Sequence, residues 1–153
     1  MPGFLSRLVS SLVHVMSYCH NLLHTGLVCP HADRIQSNGL LRSVDFDSML
    51  IRHRGERGIC IDHFAALLVD GDQYRVLSLQ GRPGSVTEDG LHSSTREGVP
   101  GIWIKDVTCG NDGTIRIITR LVSPTGPIED ILRVAVDIVQ DSRLEDCRRA
   151  NPI

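Results

Sequence analysis

The chain has 153 residues, a formal net charge of −2 and aromatic side chains at only 4% of positions. That suits a domain able to bury its own core, and it gives no electrostatic ground for binding nucleic acid. Five cysteines, odd in number and without a paired spacing, argue against a secreted disulfide framework and for reduced thiols in the cytoplasm.

From Leu8 to Cys29 there is no Asp, Glu, Lys or Arg, and Leu5, Leu8, Val9, Leu12, Val13, Met16, Cys19 and Leu23 recur at helical spacing. This predicts an amphipathic helix, with Ser, His and Asn on the opposite side. Ser, His and Asn interrupt it too often for a spanning helix, so residues 4–28 are expected to lie on a surface, either the domain's own or that of a membrane. Residues 1–38 then form a helix with its linker, and residues 39–153 form the main domain. His14, Cys19, His20, His24, Cys29 and His31 crowd the same region. Without a second ligand pair at a recognised spacing they imply no metal.

Next comes Asp62-His63-Phe64-Ala65-Ala66-Leu67-Leu68-Val69-Asp70-Gly71, a short apolar run closed by Asp-Gly, with Tyr74 to Leu79 returning antiparallel. A histidine at the mouth of such a hairpin has a rigid support and an open side. Its imidazole can act as a general base near neutral pH. Gln80 to Pro100 is loop chemistry, rich in Gly, Ser and Thr, and His92 within it reads as solvated. Strands resume over Gly101 to Val107 and Thr114 to Leu121, split by the turn Cys109-Gly110-Asn111-Asp112-Gly113. Pro124 and Pro127 precede an expected helix from Ile128 to Gln140, with Glu129 and Asp130 in its first turn.

The run from Asp45 to Leu79 resembles the histidine box of the lecithin:retinol acyltransferase-like thiol enzymes. Ser48-Met49-Leu50-Ile51-Arg52 and the hairpin after His63 carry the likeness. Lys105-Asp106-Val107-Thr108-Cys109-Gly110-Asn111-Asp112 and the segment from Ser123 to Val139, which leads into a helix, extend it, and Glu145-Asp146-Cys147-Arg148 falls after that helix, where the family's nucleophile sits. The resemblance implies an α+β fold of the permuted papain-like kind: an antiparallel four- to five-stranded sheet with helices on one face, here preceded by the amphipathic helix. It also implies catalytic residues His63 and Cys147, an acyl-enzyme, a lipid or acyl substrate, no cofactor and peripheral contact with membranes.

Two departures stand out. The position of the family's second histidine is Leu77 or Ser78, and the six residues after Cys147 are too few for the helix whose dipole would activate a thiol. A catalytically inactive binding or regulatory module of the same fold is therefore the second expectation. A third is a transglutaminase-like use of Cys60, since Gly58-Ile59-Cys60-Ile61-Asp62 is similar to that family's nucleophile loop and Ile102-Trp103-Ile104-Lys105 to its histidine segment, with Gly101 where the histidine would stand.

Overall fold

The computed structural model describes residues 13–19, 22–88, 91–92 and 98–134. Its elements in chain order are β1 (Val13–Cys19), β2 (Leu22–Pro30), α1 (Arg42–Arg52), β3 (Gly58–Ile61), β4 (Ala65–Asp70), β5 (Gln73–Ser78), β6 (Thr87–Glu88), β7 (Leu91–His92), β8 (Ile102–Cys109), β9 (Ile115–Leu121), β10 (Thr125–Pro127), a 3-10 turn over Ile128–Asp130, and β11 (Arg133–Val134).

A central sheet runs in the order β1-β2-β3-β8-β9, with β11 added to β2. The pairs are antiparallel except β2 with β3, which run parallel with Leu27 beside Gly58 and Pro30 beside Ile61. A parallel pair needs a crossover, and here the crossover contains α1. A second sheet, β10-β5-β4, is antiparallel throughout.

Strand alternation sends successive side chains to opposite faces. On one face Leu27, Cys29, Cys60 and Trp103 pack with Ala32, Phe46 and Leu50, which places α1 there. On the other, Val28, Ile59, Ile102, Ile104 and Val122 pack with Tyr74, Ile128, Ile131 and Leu132, and Leu67, Val69 and Val76 of the second sheet close over them. The molecule is thus a helix, a sheet and a second sheet, stacked. Gly58 lets the first two layers meet closely, because a Cβ there would lie 2.7 Å from Leu50 Cδ1 and 2.8 Å from Phe46 Cε1.

The α+β permuted papain-like expectation is corrected by these layers. Among the described residues strands dominate and α1 is the one α-helix, the central sheet contains the parallel pair β2–β3 where a wholly antiparallel sheet is expected, and the face away from α1 is covered by a second sheet, β4, β5 and β10. The amphipathic helix expected over 4–28 is replaced, where residues are described, by the β1–β2 hairpin. Val, Tyr and Thr are strand formers, and Val13, Val15, Tyr18, Thr25 and Val28 fall among the leucines that suggested helical spacing. The helix that motivated a membrane contact is therefore absent over 13–19 and 22–30. Ile128 starts one 3-10 turn instead of a long helix, and Arg133–Val134 is a strand paired to β2. Gln140 lies outside the described residues. The two hairpins read from their turns, β4–β5 and β8–β9, stand where the sequence put them.

Candidate functional site at the carboxyl ends of two parallel strands

The parallel strands β2 and β3 end side by side, at Pro30 and Ile61, and the chain turns away from both ends at once. His31 takes φ 52°, a left-handed conformation unusual for a side chain with a Cβ. The turn is held by Ala32 N–H, which donates to Ile61 O at 2.9 Å, and by Asp33 Oδ1, which accepts the His63 backbone N–H at 2.8 Å. These bonds bring His31 and His63 together. Their Nδ1 atoms are 2.9 Å apart, with ring centroids at 4.8 Å and planes tilted by 50°. A hydrogen bond between these two ring nitrogens needs an N–H on one and a lone pair on the other, and the tautomers decide which ring donates. Phe64 sits edge-on to His63 at 4.5 Å, and the Arg82 guanidinium lies 5.3 Å from the Phe64 ring centre.

Beneath the pair, Asp62 is buried and binds the next loop. Its Oδ1 accepts from Ser85 Oγ at 2.6 Å, and its Oδ2 accepts from Ser85 N at 3.1 Å and Gly101 N at 3.0 Å. Burial pushes the Asp62 carboxyl above the ordinary value, against the pull of these hydrogen bonds. The carboxylate ties the start and end of the long loop to the sheet end where His31 and His63 meet.

A second polar group is buried between the central sheet and α1. Lys105 Nζ donates to Ser43 O at 2.9 Å and pairs with the Asp47 carboxylate. The Ser43 hydroxyl beside it is buried and has no hydrogen-bond partner among the described residues. Burial raises Asp47, outweighing the lowering by the Lys105 charge. Cys29 and Cys60 share this side of the sheet, and burial pushes the Cys60 thiol well up, with Cys29 adding to the rise.

His63 is thus placed in a polar cluster, partnered by His31. Cys147 lies outside the described residues. Cys60 is wholly buried and its thiol is pushed up by burial, conditions opposite to those of a thiolate that attacks a substrate from outside the fold, and Cys109 is exposed at the end of β8. His14 and Cys19 lie on β1, and His24 is buried on β2. No group of three His, Cys, Asp or Glu among the described residues is placed to hold a metal ion. Sequence reading missed Asp33, Asp62, Ser85 and Lys105. A charged residue inside the apolar run Ile102-Trp103-Ile104-Lys105 was the one visible sign, because a lysine on an inward-facing strand position needs a buried counter-charge.

No family model matches the chain, and no solved structure matches it. A curated protein described as G2/mitotic-specific cyclin-1, from Trypanosoma brucei brucei, is 36% identical over 109 residues. The match covers 71% of this chain and 29% of that protein, so the chain spans less than a third of the relative's length. This similarity overturns the resemblance to the lecithin:retinol acyltransferase-like enzymes, whose local motifs were short, whereas the cyclin match extends over 71% of the chain. Among the described residues no helix is long and apolar enough to cross a membrane.

Proposed function

We propose that this chain is a protein-binding regulatory module serving cell division, and that it acts by association with another protein. The observation that carries this reading is the 36% identity to a G2/mitotic-specific cyclin over 109 residues, most of the chain. A surface suited to association supports it too. Among the described residues β4 ends the three-stranded sheet, and its apolar run Ala65 to Val69 presents backbone donors and acceptors at that edge. Leu68, Leu77 and Leu79 stand 43%, 49% and 55% exposed beside it. An extended apolar segment of a partner adding to this edge would gain ladder hydrogen bonds and cover those leucines.

Depletion of the full-length protein from its own cells, followed by DNA-content measurement, tests the proposal. Cells are expected to accumulate with doubled DNA, to be rescued by the natural chain, and not to be rescued by Leu68→Lys with Leu77→Lys. An unchanged DNA-content profile overturns the cell-division role, and full rescue by the double variant overturns the edge as the binding surface.

A further inference from the structure

Cys29 and Cys60 are register partners on the parallel strands β2 and β3, one directly beside the other. Both side chains point to the α1 side of the sheet and pack in one cluster, 4% and 0% exposed. Both are free thiols. Adjacent strands lie about 4.8 Å apart, within the roughly 4.4–6.8 Å of Cα separation that disulfides span. The next residue across the sheet is Trp103, the register partner of Cys60 on β8 and the chain's single tryptophan. A row of sulfur, sulfur and indole therefore crosses three neighbouring strands.

We propose that Cys29 and Cys60 are a reversible dithiol–disulfide pair, oxidised by a peroxide. Cys29 reacts first, because it keeps the slight exposure that Cys60 lacks and Cys60 is held as a thiol by burial. Its thiolate attacks one peroxide oxygen, the O–O bond breaks, and a sulfenic acid forms with release of water after proton uptake. The Cys60 sulfur then displaces the hydroxyl from the sulfenic sulfur, forming the S–S bond and a second water. The sum is two thiols and one hydrogen peroxide giving one disulfide and two waters. A dithiol reductant reverses the step by thiol–disulfide exchange. The closed loop contains α1, so oxidation fastens the crossover to the sheet beneath it.

The test treats the natural full chain with hydrogen peroxide, blocks remaining thiols, digests without reduction and maps the peptides by mass spectrometry. The expected result is a link, within one chain and two hydrogens lighter than the reduced pair, located by fragmentation at Cys29 and Cys60 and not at Cys19. Trp103 emission should fall on oxidation, recover with dithiothreitol, and show no fall in Cys29→Ser or Cys60→Ser, while Cys109→Ser behaves as the natural chain. Cys29 and Cys60 recovered in separately blocked peptides, or linked only between chains, overturn the proposal. The natural-chain map decides the matter even where a serine variant does not fold.

Discussion

The two faces of the central sheet are built by alternate residues of the same strands, yet they differ in kind. Val28, Ile59, Ile102 and Ile104 make the centre of the face toward the second sheet aliphatic. Cys29, Cys60, Trp103 and Lys105, one position out of phase, give the face toward α1 two sulfurs, an indole and an ammonium ion. Aliphatic packing is limited by volume, whereas the α1 face is limited by whether each polar atom keeps its partner. The two faces should therefore fail in different ways when altered.

The largest effect is expected on the α1 face. Asp47→Ala leaves the Lys105 ammonium buried with the Ser43 carbonyl as its remaining partner shown here, and should cost about 3–5 kcal/mol in urea denaturation. Lys105→Met keeps the volume and removes the charge, and should cost far less. Equal losses in the two variants would show that packing rules this face as well. On the aliphatic face, Ile104→Ala should cost roughly 3 kcal/mol and Ile104→Val about 1 kcal/mol, a graded response to volume.

Next in size is the contact between α1 and the sheet. Gly58→Ala should cost about 1–2 kcal/mol, since Leu50 and Phe46 must move aside, while Gly55→Ala, with open space around it, should leave the urea midpoint nearly unchanged. The smallest effect is a pH slope. Asp47 has a folded-state pKa raised above the ordinary 3.8, so in the window between those values the folded chain holds a proton that the unfolded chain has released. Its contribution to stability falls as pH rises through that window and is level above it. Asp47→Asn should remove this component, seen as a difference in slope between the two proteins in denaturation series from acid to neutral pH. Ile104→Val should leave the slope as it is.

Local chemistry made part of this molecule legible from sequence. Asp70-Gly71-Asp72 and Gly110-Asn111-Asp112-Gly113 are turns whose flanking runs had to pair, and Gly71 and Gly113 do adopt positive φ. His63 stands just before the β4–β5 hairpin, as the sequence pattern implies. Its partner was not foreseen, because His31 reaches it through a parallel pairing of β2 with β3 that no periodicity encodes. Asp47 and Lys105 were missed for the same reason, being joined only when α1 lies on β8. The β1–β2 region misled because Leu, Val and Met at every third or fourth place satisfy a helix, while the interspersed Val, Thr and Tyr satisfy a strand, and the tertiary pairing decided between them. Helix α1 was not foreseen, although Phe46, Met49 and Leu50 form one apolar stripe behind an acidic Asp45.

β2 takes β3 and β11 along one and the same edge, Leu27 to Pro30 meeting β3 while His24 and Thr25 meet Val134 and Arg133. Its last neighbour is therefore translated long after its first. A ribosome must deliver nearly all of these strands before β2 is fully zipped, so the nascent chain carries an open template through much of its synthesis, and refolding from denaturant should be slow for a protein of this size.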